Sequence, residues 1–287
     1  MNFAIMTNFQ QKRVGWLYGR WVTDFATGDR GVQVHAIYEP AQNSTFDEIV
    51  LEDDPEGEAK IVKLAAMLNL TRVGVIVAHP AREYVFSVNE LLLAAKVHAS
   101  AVEGAPEEGK RFVVMKARPV LDTETNIDGV ATMEAYQVTD QCVEMASRDV
   151  FKQSKTDPRV AKTADDCCFL VEKKEQRKAT IEHFVARVFD IVRPLDGAPF
   201  TSFLSAGFPV ENRPIEPQDA GAMLSYLRSR RSKPFIQTVA DLHFLLFLCN
   251  LLDTNTEMPV LCNTIAENKA DELEGFQLMI NCYAGLE

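Results

Sequence analysis

The sequence lacks several features that would assign it to a particular class of protein. None of its six cysteines forms a C-x-x-C pair, so the sequence encodes no zinc knuckle. Acidic residues outnumber lysine and arginine by 41 to 30, and the resulting formal charge of −11 argues against a nucleic-acid partner. The N-terminus shows no signal peptide. Together with cysteines that lie mostly in apolar stretches, this predicts a reducing intracellular compartment.

The most apolar window of the chain, Phe235–Leu252, is too polar to predict a membrane span. It contains Gln237, Asp241, His243 and Asn250. Such groups are costly inside a bilayer, so the window predicts one buried helix instead. Apolar residues make up 47% of the 287 residues, which is enough for a sizeable core in one large or two modest domains.

The first half of the chain predicts an α/β fold. Two β-rich runs, 13–20 and 31–38, predict a hairpin, and Asp54 before Pro55 predicts the start of a helix. The later elements expected here are the strand Arg72–Ala78, the helix Val88–Ser100, the strands Phe112–Ala117 and Val130–Val138, and a helix from Asp140 to Phe151. This order, β-β-α-β-α-β-β-α, indicates an α/β sandwich with a mixed sheet.

The second half predicts strands that return to the sheet, followed by a helical region. Lys152–Ala164 is polar and predicts a linker, and Cys167–Val171 and His183–Val192 predict another pair of strands. The pattern is helical from Pro217 to the end of the sequence. We therefore expect two parts, residues 1–152 and residues 153–287.

One spacing in the first part matches the plan of a zinc-dependent protease site. Such a site has His-x-His on a strand, followed by a Ser and an Asp, and a Glu just before an upstream Gly-x-x-x-Gly strand. Two histidines at i and i+2 point to the same face of a strand, and with the Asp they hold zinc and leave one position open for water. The Glu then takes the proton of that water.

This chain keeps the spacing and has lost most of the chemistry. Val77 stands at the first histidine position and His79 at the second, Ser87 occupies the Ser position, and Glu90 replaces the Asp. Lys12 stands where the Glu should be. Valine offers no lone pair, and a lysine cation cannot accept a proton from water. We therefore expect a catalytically dead site that holds no metal and no cofactor.

The retained residues also have ordinary structural explanations. Ser87 followed by Glu90 is a capping box for a helix start, and we favour this role over metal binding. His79 before Pro80 fits a hydrogen-bonded loop histidine. Lys12 fits a solvated residue at a strand entrance.

Several longer motifs together resemble one known family. VGWLYGR at 14–20 and VHAIYEPAQ at 34–42 resemble the start of the MPN domain in the nuclear protein localization protein four family. YQVTDQC at 136–142 resembles the end of that domain, and FPVENR at 208–213 and ADLHFLLFL at 240–248 resemble the family's C-terminal domain. The matches occur in the family's order, and together they are specific.

The resemblance implies an MPN (JAB/JAMM-like) α/β sandwich in residues 1–152, followed by a mostly helical C-terminal domain in 153–287. It implies a ubiquitin-binding adaptor that is not a protease. Members pair with the ubiquitin fusion degradation partner protein and recruit the AAA ATPase valosin-containing protein, a segregase, before proteasomal degradation of ubiquitylated clients. The implied location is the cytoplasm and nucleus, including the periphery of the endoplasmic reticulum.

The resemblance does not extend to two parts of the family that dock on the ATPase, a ubiquitin-like domain and zinc-binding segments. The chain begins about a dozen residues before the first MPN strand and has no zinc-ligand cysteines. We therefore expect a fragment, an incomplete gene model, or a lineage form whose ATPase-docking parts lie on another polypeptide.

Three aromatic residues, Trp16, Trp21 and Tyr38, are candidates for a ubiquitin-binding surface. Packing in the core or on the sheet is an equal alternative for each of them. Two other functions stay open from the sequence. One is an architectural MPN subunit of a larger assembly, and the other is an active metallo-isopeptidase with an altered metal set.

Overall fold

The computed structural model of the chain describes residues 11–23, 28, 30–119, 131–164, 166–188, 207–213 and 216–286. The strands within these residues are β1 (Arg13–Thr23), β2 (Arg30–Tyr38), β3 (Thr71–Ala78), β4 (Val113–Pro119), β5 (Ala131–Val138), β6 (Phe151–Gln153), β7 (Val160–Thr163), β8 (Phe169–Val171), β9 (Lys174–Gln176), β10 (Lys178–Thr180) and β11 (Val185–Val188). The α-helices are α1 (Pro55–Met67), α2 (Val88–Gly104), α3 (Asp140–Ser147), α4 (Ala220–Ser229), α5 (Phe235–Val239), α6 (Leu242–Leu248), α7 (Glu257–Ala266) and α8 (Glu274–Tyr283).

The main sheet has six strands in the order β11-β5-β4-β3-β1-β2. The pair β3–β4 is parallel, and every other neighbouring pair of this sheet is antiparallel. The predicted hairpin is therefore the pair β1–β2, and the predicted strand Arg72–Ala78 is β3. The mixed sheet and the helical C-terminal region confirm the predicted α/β class.

The two helices that follow the first strands begin as the sequence predicts. The Asp54 side chain accepts the amide hydrogen of Gly57 at 2.9 Å, and Pro55 is the first residue of α1. At the start of α2, the Ser87 hydroxyl accepts the Glu90 amide and the Glu90 carboxylate accepts the Ser87 amide. The predicted capping box is confirmed, and it fixes the direction in which Glu90 points.

One face of the main sheet packs against α1 and α2. This face carries Trp16, Val77 and Lys116. Trp16 pairs with Val75, and Val77 lies on the same face as Val75 because side chains two positions apart in a strand point the same way. Val77 in turn pairs with Lys116. Trp16 Nε1 donates to Glu58 of α1, and Lys116 Nζ donates to Glu90 of α2. The two helices therefore lie on the face of the sheet that carries Val77, the first histidine position of a protease of this fold.

The predicted linker Lys152–Ala164 is wrong. This stretch contributes to β6 and contains β7, which pair with each other in a three-stranded sheet with β10. Phe151 and Ala161 are fully buried in the core, so their burial outweighs the polar character of the residues between them.

The strands predicted at Cys167–Val171 and His183–Val192 do not pair with each other. β8 pairs with β9, and β11 adds to the edge of the main sheet beside β5. Positions 189–192 lie outside the described residues. Because β11 belongs to the second predicted part and extends the sheet of the first, the two parts share one sheet. The division at residues 152 and 153 itself stays a prediction.

The apolar window Phe235–Leu252 forms two helices, α5 and α6, and not the single helix that was predicted. The Asp241 carboxylate accepts the amides of His243 and Phe244 at 2.9 and 3.2 Å, so a new helix begins there. Within the described part of the chain, no helix combines the length and the apolar character that crossing a bilayer requires.

Candidate functional site

The five degenerate protease positions are buried under the N-terminal end of α2. Lys12 precedes β1, Val77 lies near the end of β3, and His79 follows that strand. Ser87 caps α2, and Glu90 lies in the first turn of this helix. All five residues are buried. The spacing inferred from the sequence therefore brings Lys12, Ser87 and Glu90 into direct contact, with Val77 and His79 on the adjoining strand end.

The Glu90 carboxylate is surrounded by cations. Lys12 Nζ lies 3.1 Å from Oε1, Lys116 Nζ lies 2.9 Å from Oε2, and the two terminal nitrogens of Arg82 contact Oε1 and Oε2 at 2.9 and 2.6 Å. We call these four residues the Glu90 cluster. Burial opposes ionisation, but Lys116, Arg82 and Lys12 outweigh it and hold the pKa of Glu90 well below its ordinary value.

Sequence reasoning missed the other two cations of the cluster, Lys116 and Arg82. Lys116 is the register partner of Val77, and its Nζ also lies 4.7 Å from the centroid of the Phe86 ring. Burial lowers the pKa of Lys116 to about 8, although Glu90 acts in the opposite direction. The available signal was a single lysine inside the otherwise apolar run of β4.

Arg82 lies in the loop between β3 and α2 and is held by that loop. Its guanidinium donates to the backbone carbonyls of Tyr84 and Val85 at 3.0 and 2.7 Å, in addition to Glu90. A two-pronged Arg–carboxylate contact of this kind is directional as well as strong. The loop is therefore fixed to the carboxylate that stands at the last metal-ligand position of a protease site.

Lys12 is buried, so the prediction of a solvated lysine is wrong. Its ammonium group is bound by Glu90 and donates to the backbone carbonyl of Asp47. The buried carboxylate provides the countercharge that makes burial of this lysine possible. A cation thus occupies the position that the protease mechanism reserves for a base.

His79 is neutral at physiological pH. Burial, Lys116 and Arg82 together lower the pKa of His79 to about 3. Its Nδ1 lies 2.7 Å from the carbonyl oxygen of Pro80 and must donate to it, which confirms the predicted hydrogen-bonded loop histidine. The other nitrogen, Nε2, is buried and has no partner among the described residues.

These residues do not fit a zinc ion. His79 Nε2 is one free nitrogen donor, but Val77 contributes none, and the Glu90 carboxylate already binds three cations. A divalent ion at this place would also be repelled by Lys12 and Lys116. Among the residues that the structure describes, no group of three or more His, Cys, Asp or Glu side chains is arranged to hold a metal.

The aromatic candidates divide between core and surface. Trp16 and Tyr38 are buried in the core, and Trp16 Nε1 donates to Glu58 at 2.6 Å. Of their two predicted roles, burial supports packing and excludes an exposed binding surface. Trp21 is partly buried, with the Arg111 guanidinium 5.8 Å from its ring centroid.

A second buried charge cluster joins the end of β2 to the segment 208–213. The Glu39 carboxylate binds Arg13 at 2.9 Å and Arg213 at 3.2 Å. The Glu211 carboxylate accepts the Glu39 amide at 2.9 Å, and its other oxygen lies 2.6 Å from Nδ1 of His243 on α6. These contacts tie the helical region to the main sheet.

A shallow apolar groove of about 50 Å³ lies beside this joint, on the face of the sheet opposite α1 and α2. Its lining includes Gly15, Ile37, Ile76, Ala78, Ala117 and Met133, and Arg13 and Glu39 border it. Gly15 allows Ile37 to pack closely against β1, because an added Cβ would lie 2.7 Å from a methyl carbon of Ile37.

Comparison with known proteins gives one consistent family. A family model described as "NPL4 family" matches residues 13–190 and 187–283. The chain is 30% identical over 282 residues to a nuclear protein localization protein 4 homolog of Dictyostelium discoideum, covering 97% of this chain and 44% of that protein. It is 30% identical over 285 residues to NPL4-like protein 1 of Arabidopsis thaliana, covering 96% of this chain and 63% of that protein.

A similar match is found to the Homo sapiens nuclear protein localization protein 4 homolog, which is 27% identical over 285 residues, with 86% of this chain and 45% of that protein covered. The chain thus spans less than two thirds of the length of these relatives. Their names refer to protein localization or to the family, and none of the three names an enzyme.

Proposed function

The chain belongs to the NPL4 family, and from this membership we propose that it is a non-catalytic ubiquitin-binding adaptor. In this role it helps to deliver ubiquitylated clients to the AAA ATPase valosin-containing protein for extraction and proteasomal degradation. Its proposed partners are ubiquitin or polyubiquitin, the ubiquitin fusion degradation partner protein and the ATPase. The proposed location is the cytoplasm and nucleus, including the periphery of the endoplasmic reticulum. We also propose residues 1–152 and 153–287 as its two domains.

The observation that carries the non-catalytic part of the proposal is the Glu90 cluster. A hydrolase of this fold needs an open metal position and a general base beside it. Here Lys12 replaces the base, and Lys116 and Arg82 bind the carboxylate that would be the last metal ligand. These replacements support the proposal that the chain does not hydrolyse ubiquitin chains.

The apolar groove beside the buried charge cluster around Glu39 supports the binding part of the proposal. It is apolar, lies on the sheet, and is bordered by the residues that connect the sheet to the segment 208–213. The family resemblance implies a groove on the MPN and C-terminal domains that holds an unfolded ubiquitin segment. We propose that this groove is that place.

The experiment that tests the proposal is a titration of the purified chain with fluorescently labelled tetraubiquitin. We expect saturable binding and no loss of intact chains over hours, with or without added zinc. Binding that never saturates would contradict the adaptor role. Shortened chains that disappear on addition of a chelator would instead favour an active metallo-isopeptidase.

Affinity purification from the native cell tests the assembly. We expect the segregase ATPase and the ubiquitin fusion degradation partner protein to be recovered with the chain. Recovery with a different MPN-containing assembly, and without the ATPase, would favour the architectural alternative.

A further inference from the structure

Residues 41–52, between β2 and α1, form a small ordered hairpin, which we call the acidic hairpin. Its two arms are joined by hydrogen bonds from the Glu52 amide to the Ala41 carbonyl and from the Asn43 amide to the Val50 carbonyl, both 2.9 Å. Thr45 closes the turn, since its amide donates to the Glu48 carbonyl at 2.9 Å. The hairpin is therefore held by its own backbone.

Apolar side chains are concentrated on the acidic hairpin and exposed to solvent. Phe46 at the turn is 53% exposed, Val50 is 41% exposed and Leu51 is 38% exposed. Single exposed apolar residues are common on soluble proteins and need no explanation. Three large ones within six consecutive positions of one hairpin are different, because such a concentration is typical of a protein-binding surface.

The charge around these side chains has one sign. Residues 41–59 contain seven aspartates and glutamates and no lysine or arginine. Five of the carboxylates, those of Asp47, Glu48, Glu52, Asp53 and Glu56, belong to exposed residues. A complementary partner would present an apolar patch bordered by lysines and arginines.

Lys12 fixes the tip of the acidic hairpin to the Glu90 cluster. Its amide donates to the Thr45 carbonyl at 2.8 Å, and its ammonium group donates to the Asp47 carbonyl while it binds Glu90. The hairpin tip is thereby connected to a buried charge cluster. A surface that is ordered before binding loses less conformational entropy when a partner docks.

We propose that the acidic hairpin is a docking surface for a folded protein whose apolar patch is bordered by basic side chains, and that Lys12 is its positioning residue. This inference rests on the proposed function, in which the partner is ubiquitin, and it assigns the folded form of ubiquitin to the acidic hairpin. Lys12 stands where a protease of this fold has its base. In this chain, Lys12 instead holds the acidic hairpin in place.

The test compares two aspartate substitutions of exposed apolar residues in the full chain. Phe46→Asp changes the hairpin, and Leu170→Asp changes a residue of β8 that is 59% exposed. The probe is labelled tetraubiquitin, titrated at low and at physiological salt. We expect Phe46→Asp to weaken binding at least tenfold and Leu170→Asp to change it less than twofold. We also expect wild-type binding to weaken with salt.

The possible results separate this inference from the proposed function. If the wild-type chain binds tetraubiquitin and Phe46→Asp binds it equally well, the docking surface is wrong and the adaptor role stands. If the wild-type chain does not bind at all, both fail. Sedimentation equilibrium tests whether a second copy of the chain covers the hairpin instead. Self-association of the wild-type chain that Phe46→Asp abolishes would show this, and it would also overturn the inference.

Discussion

Lys116 Nζ lies 2.9 Å from Glu90 Oε2, and the two side chains are 0% and 2% exposed. Glu90 also binds Lys12 and Arg82, so a single carboxylate is the shared countercharge of three cations. Loss of the carboxylate and loss of one cation are therefore not equivalent. Loss of the carboxylate leaves three buried cations without a countercharge, whereas loss of one cation reduces the excess of positive charge in the cluster.

Substitution of Glu90 by glutamine should strongly destabilise the fold. Removal of one partner of a buried ion pair costs about 3–5 kcal/mol, because the remaining charge stays buried. Urea unfolding monitored by circular dichroism measures the change in the free energy of unfolding. Glu144→Gln, at an exposed position of α3, is the matched control and should change this quantity by less than about 0.5 kcal/mol. Equal stabilities of the two variants would contradict the structural role of Glu90.

Substitution of Lys116 by methionine should leave the stability unchanged or raise it. Burial lowers the pKa of Lys116 to about 8, so folding at pH 7 is opposed by the cost of keeping this lysine charged. Methionine has a similar length and does not carry this cost. The same urea experiment applies, and a loss of more than about 2 kcal/mol would mean that Lys116 contributes net stability.

His79 should make the protein sensitive to acid. Its folded pKa of about 3 lies below the unfolded value of 6.5, so the unfolded state binds a proton that the folded state does not. Stability should therefore fall as the pH drops below 6.5. For this residue alone, the loss between pH 6.5 and pH 5 should be about 2 kcal/mol.

The variant His79→Gln isolates this contribution. Glutamine keeps a donor for the Pro80 carbonyl and does not titrate. From pH 7 to pH 5, the wild-type free energy of unfolding should fall more than that of the variant. The difference between the two should therefore shrink or change sign. Parallel pH profiles would show that His79 is protonated in the folded protein.

Substitution of Lys12 by methionine should loosen the acidic hairpin. The substitution removes the ammonium contacts to Glu90 and to the Asp47 carbonyl. Hydrogen exchange of the hairpin amides of Asn43 and Thr45, both bonded across the hairpin, should become faster. The control Lys96→Met changes an exposed lysine of α2 and should leave these rates unchanged.

Local features of this fold could be predicted from the sequence, and contacts between distant residues could not. The cap at Asp54 and the capping box of Ser87 and Glu90 depend on neighbouring residues, and both predictions are confirmed. The family resemblance and the α/β class are also confirmed. The break at Asp241 was local as well, but the surrounding apolar run concealed it.

The sequence did not predict Lys116 and Arg82 beside Glu90, because the members of the Glu90 cluster come from four separate parts of the chain. Lys12 precedes β1, Arg82 lies in a loop, Glu90 belongs to α2, and Lys116 belongs to β4. No spacing in the sequence links Lys116 to Glu90, and only the register of β3 and β4 places the lysine beside Val77. For the same reason, the sequence predicted a solvated Lys12, since its buried countercharge lies 78 positions away along the chain.

Native mass spectrometry of the chain, mixed with tetraubiquitin in a buffer that contains zinc, tests the central claim most directly. One spectrum reports the metal content, the binding and the integrity of the ubiquitin chain. We predict a complex with the mass of this chain plus intact tetraubiquitin and no stoichiometric zinc. A zinc-bound protein accompanied by shortened ubiquitin chains would contradict the account.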